Sequence, residues 1–108
     1  MRVTYVLGTA EMPTVASFSQ CSLVSAAGNL AHIGIGVDST SSPADSSVSF
    51  NNVASIQRRD AHYTDYTNVG LHFIQALERG NGANTQTFYG DNANAPLYQN
   101  ALRVTIWA

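Results

Sequence analysis

The sequence predicts an all-β domain, built as an antiparallel β-sandwich or barrel. Seven to nine short stretches alternate apolar and polar residues, and Gly, Asn and Ser separate these stretches. No stretch carries a convincing long helical pattern, and no internal repeat is visible. Short alternating segments divided by turn residues are typical of sandwiches and barrels. At 108 residues the chain can build one modest core, so residues 1–108 are expected to form a single domain.

Three strands are predicted in the first third of the chain. Arg2–Leu7 and Val15–Val24 alternate in side-chain character, with a proline break between them. Leu30–Asp38 is unusual, because Gly34 and Gly36 fall on one face of the strand. Glycines on one face usually mark the close approach of another backbone or a bulky ring. We therefore expect this face to be packed under another part of the chain.

Further strands follow a polar loop at residues 39–47. Val48–Phe50 opens a short strand, and Thr85–Tyr89 and Ala101–Trp107 supply two more. Residues 80–85 are predicted to form a hairpin loop, and the pair Asn81–Gly82 within it is the strongest short-range hairpin signal in the chain. A hairpin is therefore predicted between the strands on either side of it.

Several polar segments are assigned to loops and turns. Arg58–Arg59, the only basic pair, is interpreted as a solvated loop pair. His62 falls in a polar stretch that is also assigned to a loop, and residues 90–95 are assigned to a turn.

The stretch 68–80 is the candidate for the central element. From Leu71 to Arg79 the side chains fall into two alternating sets, and each set contains apolar residues. A strand would place the sets on opposite faces, and both faces would then be covered, one by the core and one by a second sheet or another subunit. A helix is the alternative, because Leu71, Ile74 and Leu77 also fit a helical stripe. We predict a strand, because glycines bracket the run and the surrounding chain alternates.

Composition excludes several classes of partner. Only 11% of residues are charged, and five Arg with no Lys leave a net charge of -2, so there is no basic patch for nucleic acid. No apolar run has membrane-spanning length, and the first residues lack the apolar core of a signal peptide. We expect no membrane partner and synthesis in the cytoplasm. A surface with so little charge is poorly protected against association and suits a protein that stays in an assembly.

Cys21 is the only cysteine, so the chain has no intrachain disulfide. It lies in an apolar run flanked by serines, which favours a buried free thiol.

No motif specific for catalysis or metal binding is present. There is no Gly-x-Ser-x-Gly segment, and His32, His62 and His72 have neither helical metal-site spacing nor cysteine neighbours. The Asp and Asn residues at 90–94 fit a turn better than a calcium loop. We therefore expect no catalytic residue, no cofactor and no metal. A small glycan or ester hydrolase is the alternative from a different class, and it requires a cleft with a histidine beside a serine or with two carboxylates.

Exposed aromatic residues are the candidates for binding a glycan. Tyr63, Tyr66 and Tyr98 lie among polar neighbours and could stack on sugar rings in outward-facing loops. Core or interface packing is the competing explanation for these and the other aromatic side chains.

Two stretches resemble a known class of domain. Residues 33–40, Ile-Gly-Ile-Gly-Val-Asp-Ser-Thr, resemble a segment of the head domains of bacteriophage fibre and capsid-attached proteins. Residues 70–78, the glycine-rich loop after them, 87–91 and a last strand ending in Trp107 are similar to the closing part of those domains. The run 70–74 also resembles the glycine-started aromatic strand of tumour-necrosis-factor-like and C1q-like jelly rolls. Together these matches cover about half of the chain.

The resemblance implies a jelly-roll β-sandwich that associates as a homotrimer and is displayed on a virion, without catalytic residues. It would be a capsid decoration or a fibre-tip domain in contact with other virion proteins, or a fragment of a longer fibre, because such heads normally follow a long shaft. Host-receptor or glycan binding through the loops is the alternative within that assembly, and a C1q-like binding module is a third possibility. The candidate trimer-interface residues are Leu71, Phe73, Leu77 and Trp107.

Overall fold

The computed structural model describes residues 1–45, 47–82, 84–90 and 100–107. Within these residues the chain forms eight strands, with every pairing antiparallel and no helix. The all-β, antiparallel prediction is therefore confirmed. The strands are β1 (Arg2–Leu7), β2 (Thr14–Val24), β3 (Ala31–Val37), β4 (Val48–Asn51), β5 (Gln57–Asp65), β6 (Gly70–Gly80), β7 (Gln86–Tyr89) and β8 (Ala101–Thr105).

The strands are arranged in two sheets. The first sheet has the order β1-β6-β3-β4, and the second has the order β5-β2-β7, with β8 also paired with β2. Both partners fit on one strand because β2 is 11 residues long: residues 15–19 pair with β8 and residues 21–24 pair with β7. The predicted central stretch is indeed a strand, β6, and it lies between β1 and β3.

The core lies between the inward faces of the two sheets. Alternation along each strand sends every second side chain inward, and Ile35 and Ile74 are completely buried. Burying a side chain of this size contributes roughly 1.5–3 kcal/mol. The free thiol of Cys21 is also buried, as predicted. The main cluster joins Tyr5, Leu7, Ile33, Ile35 and Ile74 of the first sheet to Ala16, Phe18 and Ala61 of the second.

The loop after β3 folds back over the outward face of that strand. A Cβ added at Gly36 would overlap the carbonyl oxygen of Ser39. The Ala44 amide donates a hydrogen bond to the Ile35 carbonyl at 2.8 Å, and the Ser47 hydroxyl donates to the same oxygen at 3.0 Å. The glycine face of β3 is therefore packed under another stretch of backbone, as the sequence predicted.

The hairpin prediction at Asn81–Gly82 is wrong. β6 belongs to the first sheet and β7 to the second, so the chain crosses between sheets at this point. The turn chemistry itself is present, since Gly82 and Asn84 both have positive φ, at 80° and 58°. The crossing is held by the end of β2, where the Ser25 amide donates to the Thr85 carbonyl at 2.9 Å and the Thr85 amide donates to Ser25 Oγ at 3.0 Å.

Two loop predictions are also wrong, because Arg58–Arg59 and His62 lie within β5. This strand pairs with β2 over nine consecutive residues, and that pairing overrides the polar local sequence. Arg58 Nη1 donates to Ser19 Oγ at 3.1 Å, and Arg59 Nε donates to the Phe50 carbonyl at 2.9 Å. The turn predicted at 90–95 lies outside the described residues except for Gly90.

Candidate functional site

The two faces of β6 have different surroundings. Ile74 faces the core and is fully buried, whereas Leu71, on the opposite face, is 71% exposed. Because β6 is an interior strand, its outward residues lie in the middle of the outer face of the first sheet. The outward side chains of β6 are those of Leu71, Phe73, Gln75, Leu77 and Arg79.

One end of this face carries a contiguous apolar patch. Val6 of β1 lies directly opposite Leu71 in the strand register, and it is 62% exposed. Next to this pair, the guanidinium of Arg2 lies 4.2 Å from the centre of the Phe73 ring, and Arg2 Nε donates to Gln75 Oε1 at 2.9 Å. We call Val6, Leu71 and Phe73 the Leu71 patch. Exposed apolar residues grouped in this way mark interaction surfaces, whereas isolated ones do not.

The other end of the face contains a groove of about 380 Å³. We call it the Arg79 groove; Gly34 forms its floor, and His32, Pro43, Val48, Leu77 and Arg79 are among the residues that line it. Arg79 is eight residues along β6 from Leu71, about 27 Å at the usual rise of a strand, whereas Phe73 of the patch and Leu77 of the groove are four residues, about 13 Å, apart. The outer face of the first sheet therefore holds two separate features.

The outer face of the second sheet is different in character. Its central strands present small hydroxyl side chains: Ser17 and Ser19 of β2, Thr64 of β5 and Thr105 of β8. Charged and polar residues from β5 lie among them, including His62, which is exposed. Because these side chains are polar, the outer face of the second sheet is suited to contact with water. The exposed aliphatic side chains in mid-strand are found on the first sheet.

His72 and Asp38 form a clamp at the end of the first sheet. His72 Nδ1 lies 2.7 Å from Asp38 Oδ2, and His72 Nε2 lies 2.6 Å from the Asn68 carbonyl oxygen. Asp38 has a positive φ of 52°, and its other carboxylate oxygen accepts a hydrogen bond from the Phe73 amide at 2.9 Å. Both ring nitrogens therefore face acceptors, an arrangement that only the protonated imidazole satisfies fully. The clamp joins β3, β6 and the loop between β5 and β6.

The clamp shifts the pKa values of both partners. The hydrogen bond to Asp38, followed by the one to the Asn68 carbonyl, raises the pKa of His72. For Asp38, partial burial acts to raise the pKa, but the hydrogen bonds from His72 and the Phe73 amide outweigh it, so the pKa is lowered. Each partner is thus stabilised in its charged form. Nearby, burial and then the charge of Asp65 raise the pKa of Tyr63.

These contacts bear on the candidates for catalysis and metal binding. His72 is held on both nitrogens, so it has no free lone pair with which to act as a general base. Within the described residues, no group of three or more His, Cys, Asp or Glu side chains is placed to hold a metal ion. In the same part of the chain, no helix is long and apolar enough to span a membrane.

The structure separates the four residues proposed from the sequence for the trimer interface. Leu71 and Phe73 belong to the Leu71 patch, whereas Leu77 lies toward the other end of β6 and lines the Arg79 groove. Trp107, 43% exposed, follows β8 in the second sheet, two residues beyond Thr105. The structure therefore brings together two of the four.

The three tyrosines proposed for outer-loop binding also differ in their surroundings. Tyr63 lies within β5, is half-buried and packs against the core. Tyr66 is in the loop between β5 and β6 and is 61% exposed. Tyr98 lies outside the described residues. Among the described tyrosines, Tyr66 is the one in a position to meet a ligand from a loop.

Two contributors to this surface were missed by sequence reasoning. Val6 was assigned to a strand, but pairing with Leu71 requires the register between β1 and β6, which local sequence does not specify. Asp38 was placed at the end of a predicted strand, but local sequence gave no sign that its partner is His72, 34 residues away. Gly36, two residues before Asp38, was a usable signal, because it marked the point where the chain folds back over the sheet.

Comparison with protein-family models, with curated proteins and with solved structures gives no match to this chain.

Proposed function

We propose that this chain is a structural, non-enzymatic β-sandwich subunit that associates with copies of itself through the Leu71 patch. The observation that carries the proposal is the pairing of Val6 and Leu71, both more than 60% exposed, at one end of the outer face of the first sheet. Exposed apolar side chains that lie side by side on one sheet face form a candidate surface for protein association. A second copy of the chain could cover the Leu71 patch without any other protein.

The energetics support association. Complete burial of one Leu or Val side chain contributes roughly 1.5–3 kcal/mol, so covering two per subunit matters for a domain whose total stability is on the order of 5–15 kcal/mol. Electrostatic repulsion opposes association only weakly, because the chain carries a net charge of -2 and 11% charged residues. Arg2 is already stacked on Phe73, and its aliphatic stem extends the apolar surface.

The particular assembly we propose is a homotrimer on the surface of a bacteriophage particle, as a capsid decoration or a fibre-tip domain. This part rests on the resemblance of residues 33–40 and 70–78 to phage head domains. The jelly-roll arrangement stays a prediction. Phage head domains related to this chain should have the same strand orders, β1-β6-β3-β4 in one sheet and β5-β2-β7 in the other, with β8 paired with β2. In such a particle the chain would contact other virion proteins, and the exposed Tyr66 loop would be available for host attachment.

Native mass in solution tests the proposal directly. Light scattering coupled to size exclusion separates one chain of 11.5 kDa from an assembly of several chains. A mass near three chains that resists dilution would support the homotrimer. A mass of one chain at all accessible concentrations would contradict self-association altogether.

A further inference from the structure

The Arg79 groove has the size and the walls of a small-ligand site. Its volume of about 380 Å³ falls in the range of roughly 300–1,000 Å³ that is typical of ligand pockets. Gly34 lies close to two of the walls: a Cβ there would lie 3.3 Å from Pro43 Cβ and 3.5 Å from Val48 Cγ2. Together with Leu77, these side chains make the walls of the groove apolar.

The charge lining the groove is positive. Arg79 points outward from β6, is exposed, and makes no ion pair within the part of the chain that the structure describes. Its neighbour Glu78 also borders the groove, but strand alternation directs the Glu78 side chain to the opposite side of the sheet, where its register partner is the buried Ile33. The groove therefore presents one full positive charge beside apolar walls.

The Nδ1 atom of His32 is not available to a ligand in the groove. Nδ1 of His32 is shielded from solvent and makes no hydrogen bond within the described residues. The other nearby ring is apolar: the centre of the Phe50 ring lies 6.1 Å from that of His32. An atom without accessible surface cannot be reached from the groove, so Arg79 is the residue that supplies polar recognition there.

We propose that the Arg79 groove binds a small organic monocarboxylate with a branched apolar group. The carboxylate pairs with the Arg79 guanidinium, whose planar fork matches it. The apolar group lies between Pro43, Val48 and Leu77. A singly charged carboxylate fits the groove better than a doubly charged phosphate, because one arginine lines it.

The test compares two probes that differ only in charge. The labelled chain is titrated with N-acetyl-L-leucine and, separately, with N-acetyl-L-leucinamide, and the backbone amide resonances of Gly34 and Gly80 are followed by NMR. We expect saturable shifts at both amides, with the acid binding at least tenfold more tightly than the amide. Arg79→Gln should remove this preference. Arg103→Gln is the matched control, because Arg103 is exposed on the outer face of the second sheet, and it should leave the preference unchanged.

A third variant tests the position of the site without changing charge. Gly34→Ala partly fills the floor of the groove, so it should weaken the binding of both probes. The proposal is overturned if neither probe shifts the Gly34 and Gly80 resonances, if both bind equally well, or if Arg79→Gln binds the acid as the wild type does. Because the Leu71 patch lies at the other end of β6, Leu71→Asp should bind the acid normally, so this proposal and self-association can fail independently.

Discussion

Val6 and Leu71 lie directly opposite each other on β1 and β6, and both point away from the core. On the inward side of the same two strands, Val3 lies opposite Ile74, which is completely buried. The sheet is therefore apolar on both faces at this point, and one of those faces is open. If the outer face were covered, this strand pair would be buried on both faces, as the apolar residues on both of its faces predict.

The close approach at Gly36 predicts a large effect from a single methyl group. Gly36→Ala should destabilise the fold by about 1–3 kcal/mol, because a Cβ there overlaps the backbone oxygen of Ser39 and the loop must move. Gly8→Ala is the control, since a Cβ at Gly8 meets nothing within 4 Å, and it should change stability by no more than about 0.5 kcal/mol. Urea unfolding of both variants provides the measurement. Equal stabilities for the two would show that the loop does not pack on β3 as described.

Asn51, which is buried, can be compared with its exposed neighbour Asn52. Its buried side chain donates to the carbonyls of Ser22 at 2.8 Å and Ser55 at 3.2 Å, and it accepts from the Val53 amide at 3.0 Å. Asn51→Ala leaves these groups without a partner and should cost about 1–3 kcal/mol in the free energy of unfolding. Asn52→Ala, at the exposed neighbouring position, should be nearly neutral. Similar losses for both variants would argue against the bridge between β4 and β2.

The His72 clamp predicts how stability depends on pH. Because the pKa of His72 is raised on folding, its contribution is complete below its ordinary pKa of about 6.5 and is lost as pH rises through the folded value. Because the pKa of Asp38 is lowered, its contribution is present above about 3.9 and is lost as pH falls through the folded value. The clamp should therefore stabilise the fold most between about pH 4 and 6.5.

The clamp is tested by comparing the wild type with His72→Gln in urea unfolding at pH 5.5 and pH 9. The wild type should be more stable at pH 5.5, by on the order of 1 kcal/mol given that Asp38 is partly exposed, and this advantage should shrink at pH 9. Burial raises the pKa of Tyr63, so its titration is moved further above this pH range. An advantage of the same size at both pH values would contradict a charged clamp.

Local patterns were sufficient to predict most of the strands. Alternation identified β1, β2, β3 and β6, and the glycines of β3 indicated the loop that covers them, because the cause of each feature lies within a few residues. Both faces of β6 were correctly recognised as apolar. The sequence could not indicate which face meets the core, since that depends on how β1 and β3 pair with β6.

The errors occurred where distant pairing decides the structure. Asn81–Gly82 has the chemistry of a hairpin turn, but Thr85 hydrogen-bonds to Ser25 at the end of β2, so the next strand joins the other sheet. His62 has polar neighbours and was assigned to a loop, although β5 pairs with β2 along its whole length. The clamp between Asp38 and His72 was likewise beyond local reasoning, because its partners are far apart in sequence.

The native mass of the wild type, measured beside two variants by light scattering, tests the central claim most directly. Leu71→Asp places a charge in the Leu71 patch, and Thr64→Asp places the same charge on the exposed outer face of the second sheet. We expect a mass near three chains for the wild type and Thr64→Asp, and a single folded chain for Leu71→Asp. A monomeric wild type, or a Leu71→Asp variant that assembles as well as the wild type, would contradict association through this patch.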